Sequence, residues 1–316
     1  MARKRVIAVM GATGAQGGGL VRAILADRSS EWTPRAVTRH PDSDKGQALR
    51  AAGAEVVAGD MDDPQSLERA FAGAEAAYCV TNYWEHSDPD REIRQARAQA
   101  NAVKATNLGY AIWSTLEDTR DSVPLTDPRM PTLLGRFKVP HFDTKGESDA
   151  FFVDSGVPVT LYRTSFYWEN LIYFGMGPRR GQDGALAFML PIGQSKLPGI
   201  GAEDIGKCAY GLLKQHEEFG GRTVGVAGEH LTGAEMAEGL GRTLGESVRY
   251  VPIPAAAYRE LGFPGADDLG NMFQYNDEFS AEFCAMRSVE LSRSLNPALQ
   301  SFDNWLAANG ARIQIQ

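Results

Sequence analysis

Cysteine is scarce here, with three in 316 residues: Cys79, Cys208 and Cys284. They are odd in number and widely scattered. That excludes a disulfide framework and a thiolate metal site, and it reads as the reduced-thiol usage of a cytosolic protein. Long apolar runs are also lacking, so no stretch reads as a bilayer span. The first apolar run is short and ends in glycines, which does not read as a signal peptide. Positive charge is in deficit, 32 Lys+Arg against 40 Asp+Glu, for a net charge of -8. An acidic chain of this kind argues against direct nucleic-acid binding, which needs a basic surface. The basic start, Arg3-Lys4-Arg5, is too short to alter that and flanks the first strand instead. Internal repeats and low-complexity tracts are absent. The expected location is cytoplasmic, with the nucleus open if the source is eukaryotic, and the choice between monomer and homodimer is open.

Glycine, by contrast, is plentiful at 34 residues. Its most telling cluster follows an apolar, strand-like run, Val6-Ile7-Ala8-Val9-Met10. The chain then reads Gly11-Ala12-Thr13-Gly14-Ala15-Gln16-Gly17, and a helix-like segment, Leu20 to Leu25, comes next. Strand, glycine turn and helix are the setting in which G-x-x-G-x-x-G binds a dinucleotide. Gly11 allows the tight turn, Gly14 lets backbone approach the pyrophosphate, and Gly17 lets helix pack on strand. The free N–H groups of the helix N-terminus then face the phosphates. After the second strand, Pro34-Arg35-Ala36-Val37-Thr38, an NAD site would carry an acidic residue for the ribose 2′-OH. The chain instead offers Arg39, with Lys45 shortly after. A guanidinium grips a phosphate with paired hydrogen bonds. Arg39 helped by Lys45 therefore reads as a 2′-phosphate clamp, and the expected cofactor is NADP(H).

Strand and helix patterns alternate through the first half. Strand-like runs recur at Ala54–Ala58, Ala76–Val80, Tyr110–Ser114 and Val157–Tyr162, with helical segments at Pro64–Phe71, Arg91–Thr106 and Phe142–Asp154. Such alternation gives an α/β fold, a Rossmann-type doubly wound parallel sheet. Its ligands sit beyond the carboxyl ends of the strands. The stretch from Gly175 to Gly201 is rich in glycine and proline and reads as irregular and mobile. Helical signals resume at Glu203–Lys214, Thr232–Leu244, Ala255–Leu261 and Pro297–Asn309. The expected domains are 1–160, dinucleotide-binding, and 161–316, a smaller, mostly helical cap. The first also receives strands from about 195–228, near Thr223-Val224-Gly225-Val226, so the domains are discontinuous.

The chain resembles the NmrA-like family, an atypical branch of the short-chain dehydrogenases/reductases, over nearly its whole length. The segments that carry the resemblance are Gly11–Gly18, Val80-Thr81-Asn82-Tyr83-Trp84-Glu85, His141-Phe142-Asp143-Thr144-Lys145-Gly146-Glu147, Tyr167–Asn170, Leu261–Ala266 and Asn271–Phe273. Within the family they look most like NADPH-sensing regulators, which act on partner proteins; other members are quinone and isoflavone-type reductases. The resemblance implies further cofactor contacts. Asp60 and Met61 border the adenine, although Asp and Pro at 60–64 also suit a helix cap. Thr81, Asn82 and Tyr83 line the route to the nicotinamide ribose. Ser165, Phe166, Tyr167 and Trp168 lie near the nicotinamide. Core or cleft-wall packing is the alternative for Tyr83, Trp84 and Tyr167.

An ordinary short-chain dehydrogenase uses a serine and then Tyr-x-x-x-Lys. Here Ser114 stands at the end of the fifth strand, Lys145 keeps the lysine place, and His141 replaces the tyrosine. Four apart on a helix, His141 and Lys145 share a face. Lys145 can still hydrogen-bond the ribose. A cation nearby favours neutral imidazole at His141, which weakens it as a proton donor; a helix-start residue satisfied by local backbone is the bland alternative. Two functions follow. The missing tyrosine favours an NADP(H)-binding redox sensor whose conformation depends on cofactor occupancy and which acts on a regulatory protein partner. Lys145 and the nearby aromatics favour an NADPH-dependent reductase of a small-molecule substrate, a quinone or carbonyl-like compound.

Overall fold

The computed structural model describes residues 4–316; Arg3 of the basic start lies outside them. Thirteen strands are described: β1 Arg5–Val9, β2 Trp32–Thr38, β3 Glu55–Ala58, β4 Ala76–Cys79, β5 Tyr110–Thr115, β6 Val159–Arg163, β7 Phe166–Tyr167, β8 Arg179–Arg180, β9 Leu186–Leu190, β10 Lys196–Ile200, β11 Thr223–Gly225, β12 Glu229–Thr232 and β13 Val248–Pro252. The helices are α1 Ala15–Ala26, α2 Asp44–Ala51, α3 Pro64–Phe71, α4 Pro89–Ala105, α5 Pro140–Val153, α6 Asn170–Tyr173, α7 Ala202–Lys214, α8 His216–Phe219, α9 Gly233–Leu244, α10 Ala255–Arg259, α11 Ala266–Glu278, α12 Ser280–Ala285, α13 Val289–Leu295 and α14 Phe302–Asn309.

The chain divides into two compact units. The first runs to Asp118 and adds Thr144–Arg163 and Ile205–Val224. Its seven-stranded sheet has the order β11-β6-β5-β4-β1-β2-β3. The pairs β1–β2, β1–β4, β2–β3, β4–β5 and β5–β6 are all parallel. Strands β4 and β5 are buried along their whole length, as central parallel strands covered by helices must be. The order reverses between β1 and β4, which makes this the topological switch point. Short polar devices start the helices: Asp63 and Asp88 cap α3 and α4, each followed by proline in the first turn. The core joins Ala8, Met10, Leu67, Phe71, Val103 and Trp113, with Trp113 stacked on Phe152 at 4.4 Å.

The second unit comprises Thr119–Asp143, Thr164–Asp204 and Gly225–Gln316. It is helix-rich and also holds two three-stranded sheets, β12-β10-β7 and β13-β9-β8. This corrects the expectation of an irregular stretch over 175–201, which supplies β8, β9 and β10. Leu186, Phe188 and Leu190 alternate inward along β9, a period-two pattern that the glycines and prolines around it mask. Strand β11 lies beside β6 in the seven-stranded sheet, whereas β10 pairs in the second unit.

Candidate functional site

The glycine turn stands at the switch point. Gly11 has φ +61, a left-handed conformation that L side chains avoid, and a Cβ there would lie 3.0 Å from Val80 Cγ1 at the end of β4. Gly17 backs directly onto the strand: its Cβ would lie 2.4 Å from Met10 O. Gly14 is the extended N-cap of α1 and donates its N–H to Gly11 O at 2.9 Å. No side chain caps α1, and its first turn carries no acidic residue. A twelve-residue helix thus offers its leading N–H groups and the positive end of its dipole to an anion. Gly14 and Ala15 are exposed at this mouth, with Thr13 half-buried beside them. The residues present fit a pyrophosphate.

Gln16, an expected cofactor contact, is hydrogen-bonded within the first unit. Its Oε1 accepts from Tyr78 Oη and, at 2.7 Å, from Ser114 Oγ. Ser114 is 2 % exposed, so the candidate catalytic serine braces α1 against β5 instead of facing solvent.

At the other end, Arg39 leaves β2 and its Nη1 lies 2.6 Å from Glu85 Oε1, both side chains being partly exposed. Lys45 is exposed in the first turn of α2. Asp60 and Met61 follow β3. Asp60 Oδ1 accepts from Asp62 N at 3.0 Å, and Met61 Sδ lies 3.3 Å from Gln99 Nε2. The helix cap falls on Asp63, leaving Asp60 and Met61 at the strand end.

Lys145 is the best-supported charge in this unit. Its Nζ donates to Thr81 Oγ1 at 2.6 Å and Thr81 O at 3.2 Å, and lies 3.1 Å from Glu92 Oε1. The Trp113 ring is 5.2 Å away. An ammonium has three N–H donors, and these three oxygens take them. Thr81 Oγ1 in turn donates to Glu92 Oε1 at 2.5 Å. Glu92 is fully buried. Burial alone would raise its pKa, yet Lys145, His86 and Thr81 together hold it down to about 2. His86 Nδ1 accepts the N–H of Asp88 at 3.0 Å, so the neutral ring carries its proton on Nε2. That atom lies 3.4 Å from Glu92 Oε2 without hydrogen-bond alignment. Asn82 is exposed and Tyr83 buried; the Tyr83 ring meets Trp84 and His86 edge-on.

The second unit holds the other candidates. His141 is 6 % exposed; its Nδ1 lies 2.5 Å from Asp268 Oδ1, and its backbone N–H reaches Asp268 Oδ2 at 3.2 Å. A carboxylate from α11 thus partners both its ring and its backbone N–H. Ser165 Oγ is buried without a hydrogen-bond partner. Phe166 is buried and Tyr167 half-buried, with its hydroxyl 3.5 Å from Thr164 Oγ1. The Trp168 ring is 1 % exposed and packs on Phe302 and Trp305. Its indole is therefore part of the core of this unit.

Glu92, His86, Gln99 and Asp268 escaped the sequence reading. A signal for Glu92 existed: Glu92, Gln95 and Gln99 place polar groups on the buried face of α4, where apolar residues belong. Among the described residues no helix is long and apolar enough to cross a membrane, and no cluster is arranged to hold a metal ion.

A sequence profile of the NmrA-like family matches residues 3–306. An NmrA-like family domain-containing oxidoreductase, lnbB of Aspergillus flavus, is 27% identical over 284 residues, covering 87% of this chain and 84% of its own. The NAD(P)H azoreductase of Xenophilus azovorans is 28% identical over 250 residues, covering 78% and 77%. Among solved structures, NmrA, a negative transcriptional regulator in complex with NAD, aligns with a TM-score of 0.77 at 20% identity over 98% of both chains. The triphenylmethane reductase of Citrobacter sp. with NADP(H) aligns at 0.73 and 18% identity, over 96% and 99%. The fold, the glycine turn at its switch point and the span of the profile agree: this chain belongs to the NmrA-like family.

Proposed function

We propose that this protein binds NADP(H) and works as an NADPH-dependent reductase of a conjugated acceptor such as a quinone or azo compound. The glycine turn and α1 hold the pyrophosphate, Arg39 with Lys45 the 2′-phosphate, and Lys145 with Thr81 the nicotinamide ribose. NADPH supplies the hydride. Lys145 has its donors engaged, so a ribose hydroxyl exchanges for one of its present oxygens. In the second unit Asp268 orients the His141 ring through Nδ1, and we assign His141 as the proton source.

The observation that carries this reading is the His141–Asp268 pair at 2.5 Å. It gives the His141 ring a carboxylate partner at Nδ1. The azoreductase and oxidoreductase relatives support the same direction. Optical assay of NADPH oxidation against quinones and azo dyes tests it. Sustained turnover that falls at least tenfold in Lys145→Met and His141→Phe is expected; no turnover with any acceptor, despite NADPH binding, would overturn it.

The second reading is an NADP(H) sensor acting on a protein partner. It is favoured by Lys145, whose three N–H groups are taken by Thr81 and Glu92, so that binding a ribose must rearrange this cluster. Hydrogen exchange around Thr81–Trp84 that is identical in empty, NADP⁺ and NADPH forms would end it.

A further inference from the structure

One short turn spans the distance between the two charged ends of the first unit. Tyr83–Glu85 forms a single 3-10 turn. The residue after it, His86, faces Glu92 and through it Lys145. Glu85, the last of the turn, pairs with Arg39 at 2.6 Å. Arg39 is thus held by a carboxylate at the edge that a phosphate monoester would take. One guanidinium cannot give its full set of charge-assisted hydrogen bonds to two anions at once.

We propose that Glu85 is an internal competitor for the 2′-phosphate and sets how strongly the site prefers NADP(H) to NAD(H). This rests on the NADP(H) reading above. A cofactor with a 2′-phosphate displaces the Glu85 carboxylate from Arg39. A cofactor without one leaves the pair in place. The cost of breaking the pair therefore falls on NADP(H) alone. Both partners are partly exposed, 45% for Arg39 and 37% for Glu85, so the pair is weak and its removal changes affinity by about two- to fivefold. The turn itself does not depend on the pair. Glu85 N donates to Asn82 O at 3.1 Å and His86 N to Tyr83 O at 3.2 Å, and the buried Tyr83 ring fixes its start.

Calorimetric titration of the parent and of Glu85→Gln, with NADPH and with NADH, decides the matter. Glutamine keeps the size and removes the charge at an exposed position. The expected result is NADPH binding about two- to fivefold tighter in the variant, with NADH affinity unchanged. Unchanged or weaker NADPH binding overturns the proposal. Equal tightening for both cofactors also overturns it, because that is the signature of lost negative charge in general. A parent that binds neither cofactor overturns the cofactor reading, and with it the role of Glu85.

Discussion

Glu92 shows how much one buried residue governs. It carries a full charge at 0 % exposure, where a lone carboxylate would be neutralised. Lys145, Thr81 and His86 surround it and keep it ionised. A buried pair is costly to break, because the surviving charge is left without compensation. Glu92→Gln should therefore destabilise the protein by about 3 kcal/mol or more at pH 7, and release Lys145 from its fixed position. The sign with pH follows from the depressed folded pKa of about 2, against 4.5 for a free glutamate. The stabilisation is present above about pH 4.5 and is lost as pH falls through about 2. Chemical denaturation of parent and variant at pH 7 and pH 3 checks this. Equal stability at pH 7 would show that the pair contributes nothing net. His141 and Ser114 teach a related lesson: their residue types and helix or strand positions were legible, but their partners were not.

At the scale of elements, the turn from β1 into α1 carries two glycines with separable duties. Gly14 faces the anion mouth, and its added Cβ would meet Gly11 O at 3.2 Å, a tight contact that small shifts relieve. Gly17 is wedged against β1, with its added Cβ 2.4 Å from Met10 O and 2.7 Å from Gly11 O. Gly14→Val should thus abolish NADPH binding while leaving the far-UV circular dichroism intact. Gly17→Val should lower the melting temperature by several degrees as well, since a core overpacking change costs about 1–3 kcal/mol. Identical melting temperatures for the two variants would contradict this division. Element boundaries were largely readable from local chemistry. Residues Pro64–Phe71 follow an Asp cap and open on proline; Thr232 caps α9 in a reciprocal box with Glu235. Helix α11 was missed because Gly270, Asn271 and Asn276 weaken its local preference. Asn271 is buried there, donating to Lys138 O and, at 2.9 Å, to Pro131 O, so packing overrides propensity.

At the scale of the whole molecule, stability should respond to pH through a second buried carboxyl. Asp149 on α5 accepts from Thr115 Oγ1 at 2.6 Å and Trp113 Nε1 at 2.9 Å. Burial is the main influence and pushes its pKa up, with Thr115, Arg163 and Trp113 partly opposing, to about 6. A raised folded pKa gives stability that is full below about 3.8 and lost as pH rises through about 6. Asp149→Asn keeps the accepting oxygen and removes the titration. The variant should therefore gain on the order of 2–3 kcal/mol over the parent at pH 8 and little at pH 4. Thermal melts at the two pH values test it, and an equal difference at both would remove Asp149 as the cause.

By itself the sequence determined the features that short-range chemistry decides. Glycine sterics located the turn, hydrophobic period and capping residues set most elements, and alternation of strand and helix gave the parallel sheet. Arg39 was legible because it directly follows a strand end. The tertiary structure alone decided which distant side chains hydrogen-bond to one another. Thr81 and Lys145 meet across 64 positions, Gln16 and Ser114 across 98, and His141 and Asp268 across 127. Hydrophobic pattern is blind to such pairings. A buried polar group needs a partner, but any acceptor of suitable geometry satisfies that need, and only the packed fold says which one is within reach.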